Sequence, residues 1–355
     1  MIDLILAISQ KFIYQLTNFM DKKIMVGIIL IVALAAIGPI YYFTSQPPVK
    51  QKKVYRVGIL SGTDAFLTMA DGFKTKMAEL GYDEGKNIVY DIIRTNADPA
   101  GETQAVKKFM AEKVDLIFTF PTEPTVSAKT VVGNSNIPIV FAYAGIEGFP
   151  LVESVSAPGN NLTGVRFPGP EQMAKRLELL HEIAPLAKKV FIIYDKNYPN
   201  TAPALATLRP LAENFGLTLV ETPVADMKEF LTVLAQKTDS TDPDVDAMIL
   251  MPDILNHSPD GMAAIFNFTA KHKLPLGGSF PPTVEGGAIF GNANDNLQVG
   301  SMAAPLADKI FKGTPAGTIP VVTPEQNLWL NYKRALELSL NIPETLLNQA
   351  DNIIR

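Results

Sequence analysis

The feature that most limits what this chain can fold into is a change of hydrophobic period that recurs along residues 54–355. Short apolar runs rich in β-branched residues give way to stretches whose apolar residues lie three and four apart, and then to another short run. Val54–Leu60 (VYRVGIL) reads as a strand ending in Ser61-Gly62. Ala70, Phe73, Met77 and Leu80 then fall on one helical face, which Gly81 stops. Asn87–Arg94 and Val114–Phe120 read as further strands, separated by a helix marked by Val106, Phe109 and Met110. A short helix over Thr125–Val132 leads to a fourth strand, Ile137–Ala142. Strand–helix alternation of this kind predicts a parallel sheet covered by helices on both faces.

The pattern then restarts. A helix carrying Met173, Leu177 and Leu180 precedes a strand at Lys189–Tyr194, and Leu205, Leu208, Ala212 and Phe215 mark the next helix, which Pro210 is expected to kink. Strands follow at Leu217–Glu221, Val245–Met251, Leu274–Gly278 and Ala288–Gly291. Helices follow at Met227–Gln236 and Met262–Lys271, and along the stripe Val299, Ala303, Leu306, Ile310. At 355 residues the chain exceeds one ordinary core. The expected architecture is α/β, with two doubly wound parallel-sheet lobes around a hinged cleft.

The N-terminal stretch is different material. Ile24–Phe43 carries no charge and, at about 1.5 Å per residue, spans roughly the 30 Å of a bilayer's hydrocarbon core. Tyr41, Tyr42 and Phe43 fall where an interfacial aromatic belt lies. The run is longer than a signal peptide's apolar segment, so residues 24–43 read as an uncleaved signal anchor, with cleavage near Ser45 as the alternative. Residues 1–23 form an extension that either lies along the membrane surface or is unstructured. Residues 44–53, with Pro47-Pro48 and several lysines, read as a linker. Lysines on both sides of the run leave its orientation open.

Composition removes several functions. The net charge of −5 argues against a nucleic-acid partner, and the absence of cysteine removes disulfides, thiolate catalysis and Cys-based zinc sites. The three histidines, His181, His257 and His272, show no metal-ligand spacing. There is no nucleophile elbow, P-loop or dinucleotide fingerprint. A glycosidase-like pair of Glu123 and Asp253 is conceivable, but nothing in the sequence sets their separation. Binding without chemistry and without a cofactor is the expectation.

In open α/β sheets ligands bind beyond the carboxyl ends of the strands. The loops at issue give Ser61, Gly62 and Thr63; Thr122 and Glu123; and Tyr143 from the first half. Asp195, Asn200 and Thr201, Asp253, and Phe280 come from the second. Each also has an ordinary reading. Thr122 and Asp253 suit helix caps, Asp195 and Asn200 suit turns, Tyr143 suits a hinge, and Phe280 beside Pro281-Pro282 suits packing.

Asp71-Gly72-Phe73-Lys74, followed by Glu79 to Ile88 (ELGYDEGKNI), closely resembles the opening of one family of ABC transporter substrate-binding proteins. This is the branch of the type I periplasmic-binding fold that includes tryptophan- and tyrosine-uptake binding proteins. The likeness continues through Val114–Phe118, Ile137–Phe141, Pro158–Val165, Val245-Asp246-Ala247, Gly287-Ala288 and the tail Asn331–Ala350, and so covers residues 54–355. The resemblance implies a two-lobed receptor that captures a small solute outside the cytoplasm and presents it to an ABC permease, and a monomer fits a protein that must dock on a transporter. It implies a first lobe of residues 54–165 with about 293–313, and a second of 166–292 with about 314–355. On it, Thr122 and the helix start behind it match a position facing the ligand's carboxylate, Asp253 matches a polar cleft position, and Asn200-Thr201 match a common Asn-Ser. The chain departs from the family after the first strand, where a His-Pro segment is missing. It departs again at Ile146-Glu147, in place of Asp-Pro, and at Ser279-Phe280, where Ser-Asp is frequent. The last change removes a carboxylate that could pair with an amino group, so an amino-acid-like ligand and a less charged aromatic carboxylate are both open. The rival readings are a sensor that reports occupancy to a signalling partner and an extracytoplasmic hydrolase.

Overall fold

The computed structural model describes residues 53–133 and 135–355, together with Tyr14, Asp21, Ile24, Gly27 and Ile31. The expected anchor over 24–43, the extension before it and the linker after it therefore lie almost wholly outside the described residues. Among those described, no helix is long and apolar enough to cross a membrane. Val54–Arg355 forms a compact unit of its own.

That unit begins with β1 (Tyr55–Ser61), α1 (Thr68–Glu79), β2 (Ile88–Arg94), α2 (Pro99–Ala111), β3 (Leu116–Phe120), α3 (Thr122–Val132), β4 (Ile139–Ala144) and β5 (Leu162–Arg166). The strands make a parallel five-stranded sheet in the order β2-β1-β3-β4-β5. β1, β3, β4 and β5 are buried on both faces, which is why they read as largely apolar runs, whereas the edge strand β2 is partly exposed. Val57, Ile59, Phe118 and Val140 enter one core with Met69 and Phe73, whereas Leu60, Ile117, Ile139 and Phe141 enter another with Val106 and Phe109. Gly58 belongs to the second face because a Cβ there would lie 2.6 Å from the Phe109 ring.

The chain continues with α4 (Gly169–Ile183), β6 (Lys189–Asp195), α5 (Thr201–Asn214), β7 (Thr218–Val224), α6 (Met227–Asp239), β8 (Ala247–Ile249), α7 (Ile254–His257), α8 (Pro259–Lys271), β9 (Leu276–Gly278), α9 (Pro281–Glu285) and β10 (Phe290–Ala293). After these come α10 (Asn296–Phe311), β11 (Asn327–Asn331), α11 (Tyr332–Glu337), α12 (Glu344–Gln349) and β12 (Asn352–Ile354). The second sheet runs β12-β11-β10-β9-β8-β6-β7. It corrects the expectation of a purely parallel sheet, because β11 pairs antiparallel with β10 and carries β12 on its outer edge. The tail gave no long apolar run because β11 alternates, with Leu328 and Leu330 buried while Asn327 and Trp329 are half-exposed. The helix of α5 runs through Pro210.

α10 returns to the first sheet and crosses α1, and the crossing depends on two glycines. A Cβ on Gly72 would overlap the Leu297 carbonyl, and a Cβ on Gly300 would overlap that of Met69. After α10, residues 319–323 run beside β5: the Val322 N–H donates to Gly164, the Arg166 N–H donates to Val322, and Thr163 Oγ1 donates to the Ile319 carbonyl at 2.8 Å. The chain thus passes between sheets after β5, after β10 and before β11. These passages are tied together by side chains. Arg166 Nε donates to Thr323 Oγ1 at 2.8 Å while its Nη atoms pair with Glu147 and Glu171. Gln172 Nε2 donates to Asn294 Oδ1 at 2.7 Å, and Asn294 Nδ2 donates to the carbonyls of Pro324 and Glu325.

Candidate functional site

The loops at the carboxyl ends of β3 and β4 approach the loop at the carboxyl end of β6. A Cβ on Gly145, just after β4, would stand 2.8 Å from Asn200 Oδ1 at the start of α5, and one on Gly148 would stand 3.2 Å from Pro203. Across the same gap the Gln172 amide lies 3.4 Å from the Tyr143 hydroxyl. The loops after β4 and β6 are therefore neighbours.

On the first-sheet side, Ser61 is fully buried and its Oγ donates to the Thr63 carbonyl at 2.9 Å. The Gly62 N–H donates to Phe120 at 2.9 Å, and Thr63 precedes a single helical turn without capping it. Thr122 opens α3, but its hydroxyl does not cap the helix. Instead Oγ1 accepts the Gly145 N–H at 3.0 Å, and the residue before the helix, Pro121, has no capping side chain. The first amides of α3 are thus left for another acceptor, beside half-buried Glu123. Tyr143 holds φ +56°, a left-handed conformation that turns its ring between Phe66 at 5.7 Å and Phe167 at 4.8 Å.

On the other side, Asp253 is 2% exposed and both reads as a cap and braces a loop. Oδ1 accepts the Asn256 N–H at 2.9 Å, both oxygens take the Asn256 amide, and Oδ2 accepts the Asp195 N–H at 3.2 Å. Burial raises its proton affinity to about 6, although the Asn256 and Asp195 N–H bonds pull in the opposite direction. Asp195 acts as a turn former, with Oδ1 accepting the Asn197 N–H at 2.8 Å and its carbonyl accepting Thr201 Oγ1 at 2.9 Å. Thr201 is buried in that role, while Asn200 leaves α5 without a side-chain cap. The Phe280 ring lies 5.1 Å from the His257 ring.

Four further residues belong here that the sequence reading did not choose. The Tyr198 hydroxyl faces Glu123 across the gap, with Asn200 and Asp253 nearby; burial, and then those two carboxylates, push its pKa up. His257 contacts the Asp253 carbonyl through Nδ1 at 2.8 Å and Ser279 Oγ through Nε2 at 2.9 Å. A carbonyl can only accept, so Nδ1 carries the proton and Nε2 accepts the Ser279 hydroxyl. Burial, aided by the Arg176 charge, lowers the His257 pKa to about 4. Arg176 is 2% exposed on α4. A sequence signal existed for it: Arg176 lies three residues after Met173 and next to Leu177, inside the apolar stripe of its helix. Tyr198 and Ser279 stood in recognised loops with nothing to single them out.

The arrangement offers uncapped helix starts, carboxylate acceptors and aromatic faces, groups chemically able to hold a small polar molecule. Among the described residues no group of His, Asp and Glu could hold a metal ion.

The fold is thus two sheets joined by three passages, with polar and aromatic side chains gathered where their loops approach, and a known family shares it. The match is specific: residues 56–354 fit the family model of the ABC transporter substrate binding protein, and the chain belongs to that family. It lies in the branch with the type I periplasmic-binding fold. It is 27% identical over 253 residues to a tyrosine-binding protein of Clostridioides difficile strain R20291, covering 71% of this chain and 70% of that protein. Among solved structures, it resembles an ABC domain in complex with L-Trp from Streptococcus pneumonia, with TM-score 0.73 and 23% identity over 85% of this chain and 100% of that one. It also resembles the ligand-free, open structure of a substrate-binding protein with adhesive properties from Clostridium difficile, with TM-score 0.68 and 23% identity over 84% and 99%. The family and these relatives are binding proteins, not enzymes.

Proposed function

We propose that this chain is the membrane-anchored, extracytoplasmic receptor of an ABC importer, and that it captures an amino-acid-like or aromatic carboxylate by closing two lobes around it. The first lobe comprises residues 54–165 with about 293–313, and the second comprises 166–292 with about 314–355. Residues 24–43 anchor the receptor in the membrane, and a permease in the same membrane is its partner. The observation that supports this reading is the uncapped start of α3, whose Thr122 holds Gly145 beside Asn200 and whose Glu123 interacts with Tyr198 of the opposite loop. The α3 amides take the ligand's carboxylate, with Ser61, Gly62 and Thr63 shaping the wall beside it. Asp253, Glu123 and Asn200 take a donor group, and Tyr143 and Phe280 line the ring. Asp195 and Thr201 hold the second-lobe loop in place. The tyrosine- and tryptophan-binding relatives support an aromatic ligand. The low proton affinity of His257 makes it a poor general base for its Ser279 contact, which favours release of the ligand unaltered.

The test is a thermal-shift screen of the full-length chain against amino acids, aromatic acids, sugars and purines. A ligand at a hundred times its Kd stabilises by about 2.7 kcal/mol, enough to move the melting temperature by several degrees. Stabilisation by aromatic carboxylates, recovered unchanged after incubation, is the expected result. Turnover, or no shift from any class with a folded protein, overturns the reading.

A further inference from the structure

Arg176 presents an imbalance. Its guanidinium is buried, yet among the described residues no carboxylate pairs with it. Its partners are neutral: Nε donates to Asn292 Oδ1 at 3.0 Å, Nη1 donates to the Leu250 carbonyl at 2.7 Å and approaches Met173 Sδ at 3.4 Å, and Nη2 lies 3.5 Å from the Asn292 carbonyl. A desolvated cation held only by neutral groups is costly unless an anion arrives to compensate it. The partners also place it. Leu250 lies just before the Asp253 loop and Asn292 on β10, so the guanidinium sits behind the carboxyl edge of the second sheet. Gln172, one helical turn earlier on the same face of α4, reaches the Tyr143 hydroxyl of the first lobe. The charge acts on both Tyr143 and His257, which flank the gap from opposite lobes.

Asp253 does not serve as the missing anion. Its carboxyl is already engaged by Asn256 and Asp195, and its proton affinity is raised where a compensating arginine would lower it. The site is thus polarised. Arg176 supplies positive potential on the Tyr143 side, while Glu123 and Asp253 supply negative potential around Tyr198.

Resting on the proposed function above, we infer that Arg176 is the specificity-determining cation of this cleft: its uncompensated charge selects a ligand carboxylate over the neutral analogue, acting across its neutral partners. It need not touch the ligand, because in a closed, poorly solvated gap a unit charge several ångströms away still discriminates by about tenfold or more.

The probes are matched pairs that differ only in that group: L-tryptophan and L-tryptophanamide, L-tyrosine and L-tyrosinamide, indole-3-acetate and indole-3-acetamide. Binding to the full-length chain is measured for native protein, Arg176→Gln and Arg176→Lys. Native protein is expected to favour the carboxylate of at least one pair. Arg176→Gln is expected to lose about tenfold or more of that carboxylate's affinity while holding the amide's, so that the preference disappears. Arg176→Lys keeps the charge without the planar fork, and it is expected to retain the preference. Equal loss of carboxylate and amide in both variants would make Arg176 a structural brace and overturn the inference while leaving the proposed function intact. A native protein that binds amides as well as acids does the same. If Arg176→Gln does not fold, Arg176→Met, a neutral residue that keeps much of the side chain's length, takes its place in the same comparison, with the same result expected. A native protein that binds no member of any pair removes the proposed function and this inference with it.

Discussion

Asp253 and His257 stand four residues apart, and burial moves their proton affinities in opposite directions. The Asp253 carboxyl rises from 3.8 to about 6, so between those values the folded chain keeps a proton that the unfolded chain has released, and stability falls as pH rises. The His257 imidazole falls from 6.5 to about 4, so over nearly the same window the unfolded chain binds a proton that the folded chain refuses, and stability rises with pH. The two contributions mask one another in the native protein. Substitution separates them. Relative to native, Asp253→Asn should gain stability as pH climbs from about 4 to 6, and His257→Gln should lose it, each with a slope of up to about 1.4 kcal/mol per pH unit. Urea unfolding at intervals across that range measures both, and curves parallel to native would show that neither group titrates as described. The same residues show how much of the site was legible in the sequence. Asp253 was readable because a lone acid after an apolar strand is conspicuous. Ser279 was not, because its place depends on a histidine contact between two loops 22 residues apart. Tyr198 was hidden for a similar reason, since its partner Glu123 comes from α3, 75 residues earlier in the chain.

At the scale of elements, the strand–helix alternation was legible because these strands are buried on both faces and their runs are unbroken. Short pieces such as β8, β9 and β12 owe their pairing to neighbours already in place, and the antiparallel entry of β11 is a property of the whole sheet rather than of five residues. The Asp71-Gly72-Phe73 segment was legible as a motif before its physical reason was visible. Gly72 and Gly300 lie at the contact of α1 and α10, where each helix presses backbone against the other. A methyl group at either position has nowhere to go, because the obstructing atom is a main-chain carbonyl that no rotamer change can remove. Gly72→Ala and Gly300→Ala should each destabilise the protein by about 3 kcal/mol, at the upper end of overpacking costs. Helix propensity alone would predict a gain of up to about 1 kcal/mol from the same changes, so the sign of the effect decides. Denaturant midpoints at unchanged slope are the measurement, and a variant as stable as native would mean that the helices pack less closely than described.

At the scale of the molecule, three passages run between the sheets, and two sets of polar contacts tie them together. Arg166 reaches Thr323, and Gln172 reaches Asn294, which in turn holds Pro324 and Glu325. On the proposed closure, such a joint would restrict the sheets to moving about one region, and the approach of Gly145 to Asn200 and of Gly148 to Pro203 would measure how far the gap has shut. Gly145 is the useful handle. Its φ lies outside the left-handed region, so a larger residue does not strain the backbone, and its N–H contact with Thr122 survives substitution. What a side chain would meet is Asn200 Oδ1 at 2.8 Å and, at 3.5 Å, the ring of Phe149. Gly145→Val should therefore hold the lobes apart without unfolding either one. Solution scattering should show a ligand-dependent contraction in native protein and little or none in the variant. Affinity should fall by about tenfold or more, because the bound form depends on contacts from both sides. The ligand-free melting temperature should stay near native, since no core is touched. A variant that contracts and binds as native does would mean that capture needs no approach of these lips, and the receptor would then work with an open gap.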